Sequence, residues 1–180
     1  MRPAFAALFL ALMLAPALAQ PKAQIDRWFA DLAKAESAED AKPIEDKLEA
    51  AFRQSGSPSL DLLMARAKEA VAGGDSKTAA TLAATVNKLA PEFAEGWRLR
   101  AMLDAAAGND GAAMVALQKV VTINPRHFPA MADLAGMLED YGDKKAALTL
   151  YRKVLSLDPR HEGAVSRVRA LEREVEGQGI

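Results

Sequence analysis

The sequence contains no cysteine, and its 180 residues include only two tryptophans, two tyrosines and six phenylalanines. Without thiols the chain has no disulfide bond, no cysteine nucleophile and no cysteine-ligated metal. Few aromatic side chains beside abundant alanine are typical of closely packed helices rather than of a deep ligand cavity. The net charge of −1 argues against a nucleic-acid-binding protein, because such a protein needs a basic face.

The motifs of common enzyme classes are also missing. The sequence has no Ser-His-Asp order, no glycine-rich phosphate loop and no His-Glu-x-x-His pattern. The two histidines, His127 and His161, each follow a Pro-Arg pair, and a catalytic or metal-binding pair is one interpretation of them. Their matching repeat positions favour a structural role in a turn, and helix packing would hold them roughly 10 Å apart. We therefore expect a protein that is not an enzyme and has no metal site and no cofactor.

The N-terminal segment has the pattern of a secretory signal peptide. Arg2 precedes an apolar run of 12 residues, 4–15, and the exit sequence Ala-Leu-Ala ends at Ala19. The pattern predicts a signal peptide over residues 1–19, cleavage before Gln20 and a periplasmic protein. An uncleaved membrane anchor is the alternative, although the run is shorter than the ~20 residues that span a bilayer. After cleavage we expect no stable insertion in the membrane.

A repeat of 34 residues organises most of the remaining chain. Five columns keep this interval: Pro91, Pro125 and Pro159; Ala79, Ala113 and Ala147; Ala67, Ala101 and Ala135; Val86, Val120 and Val154; Gly74, Gly108 and Gly142. A fixed period of this length indicates an array of helical hairpins. Arrays of this kind usually bind proteins and seldom catalyse reactions.

The register predicts an all-α solenoid of helical hairpins. Repeats cover residues 60–93, 94–127 and 128–161, after an N-terminal helical hairpin at 20–57 and before a capping helix at 162–176. Each repeat has a first helix, a glycine turn and a second helix that ends before the proline. The glycines are expected in the left-handed conformation. The second helices of the three repeats are expected to be capped by Asp75, by Asn109 or Asp110, and by Asp143.

Two features of the N-terminal hairpin lead to specific expectations. Asp40 is expected to cap the second helix, with Pro43 in its first turn. Trp28 and Phe29 are adjacent on the first helix and cannot both point fully inward. We expect them to cover the core of the first repeat, and an exposed docking patch is the alternative.

With this register the chain resembles the tetratricopeptide repeat family. The positions that carry the resemblance in the second and third repeats are Trp97, Ala101, Ala113, Leu117 and Pro125, then Met131, Leu134, Ala135, Ala147, Tyr151 and Pro159. The first repeat departs from the pattern at Ala83, where a large side chain is usual. Arg66 and Arg100 stand where the family has leucine.

The resemblance implies a right-handed superhelix whose first helices form an open concave groove. Seven residues are expected to line this partner-binding groove: Asp61, Met64, Lys68, Glu95, Arg98, Met102 and Glu139. For Met64 and Met102, filling gaps between hairpins is an equal alternative. Some members bind a terminal carboxylate with basic and amide side chains. Of the residues at the corresponding positions here, only Lys68 fits that pattern; the others are Met64, Leu99, Pro129 and Asp133. The implied partner is a protein or peptide segment, with nucleic acid excluded, and the implied role is that of an envelope adaptor or assembly factor. A structural subunit of a larger or self-associating complex is the alternative.

Overall fold

The structure is a computed structural model that describes residues 19–175 and 177. Within these residues nine helices follow one another and no strand occurs. Their bounds are α1 (Ala19–Leu32), α2 (Ala38–Phe52), α3 (Pro58–Ala72), α4 (Ser76–Leu89), α5 (Ala94–Ala106), α6 (Asp110–Ile123), α7 (Phe128–Asp140), α8 (Lys144–Leu157) and α9 (Glu162–Val175). None of these helices is long and apolar enough to span a bilayer. Residues 1–18, which hold most of the expected signal peptide, lie outside the described residues.

The helices form the predicted solenoid of hairpins. The pairs α3–α4, α5–α6 and α7–α8 pack internally, and α4, α6 and α8 each contact the first helix of the next unit. The small residues Ala79, Ala113 and Ala147 explain the close approach within each pair, because all three are completely buried. The all-α repeat architecture expected from the 34-residue period is thus confirmed.

Turn chemistry within each hairpin follows the sequence closely. Gly74, Gly108 and Gly142 have φ angles of 76°, 75° and 85°, the left-handed region that glycine adopts without strain. The side chains of Asp75 and Asp143 each accept a hydrogen bond from the backbone N–H three residues further on, at 3.0 and 3.1 Å. These caps satisfy N–H groups that the helix itself cannot pair. The prediction of a cap at Asn109 or Asp110 is wrong: Asn109 precedes α6 but its side chain makes no capping hydrogen bond, and the Asp110 carboxylate accepts from the hydroxyl of Tyr141.

The start of α2 differs from the expectation. Ser37 is the capping residue, and its hydroxyl oxygen accepts a hydrogen bond from the N–H of Asp40 at 3.1 Å. The hydroxyl of Ser37 also donates to the Asp40 carboxylate at 2.8 Å. The prediction that Asp40 caps this helix is wrong, because a serine followed by an acid three residues later makes two bonds. Pro43 consequently lies inside α2 rather than in its first turn.

The α1–α2 hairpin packs far from the first repeat. Phe29 belongs to a core cluster with Phe128 and Met131 of α7, and Trp28 is partly buried against the same cluster. The expectation that Trp28 and Phe29 cover the first repeat is therefore wrong. The hairpin instead covers the third repeat and the turns that flank it.

Aromatic and charged contacts hold the hairpin on the turn at residues 124–127. The ring of Phe52 stacks on that of His127, with ring centroids 4.7 Å apart. The guanidinium of Arg126 lies 3.8 Å from the centroid of the Phe29 ring and also pairs with Asp26 of α1. Stacking and cation–π contacts of this kind add to the stabilisation that apolar burial supplies.

Among the described residues, no hairpin packs on the side of the first repeat where a preceding hairpin would stack. Gly96, Ala130 and Ala164 occupy the third position of α5, α7 and α9, and all three are buried. A Cβ on Gly96 would lie 2.8 Å from Val86 Cγ1 of the preceding hairpin, so the space there is filled. The corresponding residue of α3 is Leu62, whose side chain is 54% exposed because no hairpin packs before it.

Candidate functional site

A row of alternating charges crosses α3, α5 and α7 on one surface. Arg98 of α5 lies at its centre, 3.8 Å from the carboxylate of Glu95 and 3.4 Å from that of Asp133 on α7. Lys68 of α3 is close enough to Glu95 for its positive charge to lower the pKa of that carboxyl. We call Lys68, Glu95, Arg98 and Asp133 the charged row. It shows that first-helix residues from three successive hairpins share a surface.

Glu95 is the buried member of the charged row. Its Oε1 atom lies 2.8 Å from Nε2 of His127, and both side chains are almost completely buried. Nδ1 of the same imidazole accepts the backbone N–H of Ala130 at 3.2 Å. Since Nδ1 acts as an acceptor, the geometry requires the ring proton on Nε2, which donates to Glu95. His127 therefore caps α7 and anchors Glu95 at the same time.

The electrostatic balance keeps Glu95 ionised. Burial raises its pKa, but the hydrogen bond from His127 and the nearby charge of Arg98 lower it, and the pKa lies below its ordinary value. A buried carboxylate that is paired and hydrogen-bonded avoids the large desolvation cost of an isolated charge. Glu95 thus presents a fixed negative charge behind Arg98.

Exposed groups lie beside the buried part of the row. Met102 on α5 is 55% exposed, and Val71 on α3 is 41% exposed. Lys68 is also exposed and makes no hydrogen bond or ion pair with any other residue of the described part. An unpaired ammonium close to exposed apolar side chains can contact a partner segment without first breaking an internal bond.

The remaining predicted groove residues have partners within the chain. Met64 lies in the core of the first repeat with 5% exposure, so it fills space between helices. Asp61 accepts hydrogen bonds from the backbone N–H and the hydroxyl of Ser55. Glu139 pairs with Arg167 of α9. The structure thus brings Lys68, Glu95 and Arg98 together, leaves Met102 exposed beside them, and places Met64 in the interior.

The sequence pattern indicates two members of this site, Asp133 and His127, only weakly. Asp133 occupies a position where family members that bind a terminal carboxylate carry a basic or amide residue, so the repeat register does not predict it as a groove residue. His127 was expected to have a structural role in its turn, which its capping bond confirms, but its contact with Glu95 joins residues 32 positions apart. One pattern could have indicated the pair. It combines a histidine that follows a proline at the start of a first helix with an acid in the first helix of the preceding repeat.

The second histidine repeats the capping role. Nδ1 of His161 accepts the backbone N–H of Ala164 at 3.2 Å, at the start of α9. In the described part of the chain, no group of three or more histidine or acidic residues is arranged to hold a metal ion. Each of the two histidines therefore ends a turn and caps the helix that follows it.

Comparison with known proteins points to one family. No protein-family model matches the chain. A TPR repeat-containing protein of Rhizobium etli is 30% identical over 127 residues, which cover 71% of this chain and 62% of that protein. The chain therefore spans less than two thirds of the length of this curated relative.

Solved structures share the fold at low sequence identity. The crystal structure of MamA superposes with a TM-score of 0.59 and 20% identity, over 78% of this chain and 84% of that one. The first TPR of Spaghetti (RPAP3), bound to the HSP90 peptide SRMEEVD, gives a TM-score of 0.59 and 15% identity, over 65% of this chain and 93% of that one. The chain thus has the fold of tetratricopeptide-repeat proteins, and the Rhizobium etli relative supports its membership of that family.

Proposed function

We propose that the chain is a non-catalytic binding module that holds a segment of a partner protein against the first helices of its repeats. The observation that carries this proposal is the charged row, in which Lys68 is exposed, together with the exposed Met102 beside it. Charges that alternate across three helices can orient a segment of complementary charge, and exposed methionine adapts to irregular apolar side chains. The resemblance to tetratricopeptide repeats supports the same role, because repeats of this type bind peptides and proteins in such grooves.

We propose that the bound segment lies within the partner's chain. If it is the partner's C-terminal segment, its terminal carboxylate is not bound by this chain. Three of the positions that hold a terminal carboxylate in some family members carry Met64, Leu99 and Pro129, and these side chains are buried. Asp133, at another of these positions, is negatively charged and would repel a carboxylate. Lys68 alone does not make a carboxylate clamp, so the neighbour that binds the HSP90 peptide does not define the ligand of this chain.

We also propose that the module acts in the periplasm, as an envelope adaptor or assembly factor. The signal-peptide pattern of residues 1–19 supports this location. The alternative is a structural subunit of a self-associating or larger envelope complex, and self-association by end-to-end stacking of copies is less well supported. The open side of the first repeat carries Leu62 where stacked hairpins have glycine or alanine, and Arg66 and Glu69 are exposed on the same helix.

Two matched variants test the binding surface. The groove variant combines Lys68→Glu with Met102→Glu, and the control combines Lys145→Glu with Val115→Glu on the second helices. Each replaces one exposed lysine and one exposed apolar residue. Tagged protein from native extract should lose its partner in the groove variant and retain it in the control. Loss in the control alone would place binding on the opposite face and contradict the proposal.

A further inference from the structure

The turns between successive hairpins are of two kinds. Residues 124–127 read Asn-Pro-Arg-His and residues 158–161 read Asp-Pro-Arg-His, whereas residues 90–93 read Ala-Pro-Glu-Phe. The α1–α2 hairpin contacts the two turns that carry the Pro-Arg-His pattern. This pattern therefore marks a docking surface for the hairpin, and its absence from the first turn explains why the hairpin does not pack there.

The two docking turns share one backbone geometry but differ in charge. The N–H of Arg126 donates to Oδ1 of Asn124 at 3.1 Å, and the N–H of Arg160 donates to Oδ1 of Asp158 at 3.2 Å. The amide of the first turn is thus replaced by a carboxyl group in the second. Asp158 is completely buried, and its Oδ2 atom has no donor among the described residues.

A second carboxyl group approaches Asp158 from the hairpin. Glu45 of α2 lies within hydrogen-bonding reach of Asp158, and its side chain is only 15% exposed. Two carboxyl groups this close in a buried position cannot both be ionised without strong repulsion. A proton between them would satisfy Oδ2 of Asp158, because a protonated Glu45 donates a hydrogen bond to it.

A short linker connects the hairpin to the repeats. α2 ends at Phe52 and α3 begins at Pro58. Between them Gly56 has a φ angle of 76°, and Ser55 donates through its hydroxyl to Asp61 of α3 at 2.6 Å. This bond ties Ser55 to α3, so a movement of the hairpin relative to the repeats would take place between the end of α2 at Phe52 and Ser55.

We propose that the α1–α2 hairpin is a proton-dependent latch. A proton shared by Glu45 and Asp158 holds the hairpin on the two Pro-Arg-His turns, and loss of this proton releases it through the linker at residues 53–54. The inference does not rest on the proposed function, because a change in hairpin position is measured without any partner.

The direction of the pH dependence follows from the pair. Burial and the hydrogen bond with Asp158 raise the pKa of Glu45 to about 7, and burial also raises the pKa of Asp158. The docked state thus holds the proton more tightly than the released state. The contribution of the shared proton to docking is complete at pH values below the ordinary pKa of glutamic acid. This contribution decreases as the pH rises through about 7.

Other charged groups surround Glu45 and Asp158 and also affect the pKa of the pair. Lys42 of α2 and His161 of the turn lower the pKa of Glu45 and partly oppose the effect of burial. Glu39 and Glu162 line the same recess of about 400 Å³ and add negative charge at high pH. The guanidinium of Arg160 is directed to the backbone carbonyl oxygen of Ala35 at 3.0 Å, so it bridges the hairpin rather than neutralising the pair.

Release of the hairpin would also affect the contacts that hold the charged row. Phe52 of the hairpin stacks on His127, and His127 in turn donates to Glu95. Removing Phe52 exposes the imidazole to water and weakens the bond that fixes Glu95. The latch therefore connects a proton at Asp158 with the surface around Arg98.

The latch is tested by measuring the hairpin position at two pH values. Because the chain has no cysteine, Lys34→Cys and Lys153→Cys place spin labels at two exposed sites only, one on the hairpin side and one on α8. Pulsed electron resonance should give one short distance at pH 5. At pH 8.5 the ratio of docked to released chains should fall by at least about tenfold, with a second, longer distance.

Three variants identify the groups responsible. Asp158→Asn copies the amide of the first docking turn, and Glu45→Gln removes the other ionisable carboxyl, so both should keep the short distance at pH 8.5. His161→Asn retains an acceptor for the cap of α9 and should respond to pH like the wild type. An unchanged distance in the wild type, an unaltered pH response in both carboxyl variants, or a response abolished by His161→Asn would overturn the proposal.

Discussion

Oε1 of Glu95 and Nε2 of His127 lie 2.8 Å apart in the interior, 32 residues apart in the chain. The contact joins the start of α5 to the start of α7, because the same imidazole caps α7. It therefore fixes the charged row relative to the next repeat. The following experiments test this role and the packing around it.

Removing the Glu95 carboxylate should destabilise the protein. Glu95→Ala leaves the N–H of His127 buried without an acceptor, which should cost about 1–3 kcal/mol of unfolding free energy. Glu95→Gln keeps an acceptor oxygen and should cost less. Urea unfolding of both variants beside Glu92→Ala, an exposed acid, provides the measurement. Equal stability of Glu95→Ala and Glu92→Ala would show that the pair contributes nothing.

The same carboxylate should give the protein an acid-sensitive contribution. Burial opposes ionisation of Glu95, yet the bond from His127 and the charge of Arg98 hold its pKa below the ordinary value. Its contribution is therefore present above the ordinary glutamic acid range and is lost as the pH falls through the lowered pKa. The stability difference between wild type and Glu95→Gln should be larger at pH 7 than at pH 3. A difference that does not change with pH would contradict this assignment.

Two glycine substitutions should have opposite effects. A Cβ on Gly96 would lie 2.5 Å from Asn87 Oδ1 and 2.8 Å from Val86 Cγ1, whereas one on Gly111 meets nothing within 4 Å. Gly96→Ala should cost about 1–3 kcal/mol through overpacking. Gly111→Ala should be neutral or stabilise by up to about 1 kcal/mol, because it lowers the entropy of the unfolded chain. Thermal unfolding of both variants provides the measurement. Equal melting temperatures would contradict the prediction, because they would mean that the interface between the first and second repeats accommodates the added methyl group.

The repeat architecture was predictable because it depends on local chemistry repeated at a fixed interval. Gly74, Gly108 and Gly142 each end a helix in the left-handed conformation, and Asp75 and Asp143 each begin one. A turn or a cap involves residues a few positions apart. Sequence inspection therefore finds both the element and its physical reason.

The position of the N-terminal hairpin was not predictable in the same way. Phe29 could pack equally well on any apolar surface, and its choice of Phe128 depends on contacts about 100 residues away. One signal was present in retrospect. Leu62 stands where Gly96 and Ala130 allow close stacking, so the first repeat is not adapted to a hairpin packed before it.

The candidate site was likewise predictable from the sequence only in part. Lys68 and Met102 are exposed, in agreement with positions inferred from the repeat register. The burial of Glu95 and Met64 was not evident, because it depends on which residues of neighbouring hairpins approach them. A register assigns a residue to a helix face, but the tertiary packing of that face decides whether the residue is accessible.

Processing of the N-terminal segment is a separate prediction. The Ala-Leu-Ala sequence that ends at Ala19 should direct cleavage before Gln20, with loss of residues 1–19 on export. Mass spectrometry of the protein from the periplasmic fraction should detect a chain that begins at Gln20. Replacement of Ala17 and Ala19 by bulky residues should block cleavage. An intact chain retained in the membrane fraction in the wild type would contradict the periplasmic assignment.

Site-specific crosslinking tests the proposed binding surface most directly. A photoreactive amino acid is placed in living cells at Met102, beside the charged row, or at Val115 on the opposite face; both positions are more than half exposed. The account predicts a discrete crosslinked partner from position 102 and none from position 115. The Lys68→Glu substitution should weaken the crosslink at position 102. A partner captured only from position 115 would contradict the assignment of the binding surface to the first helices.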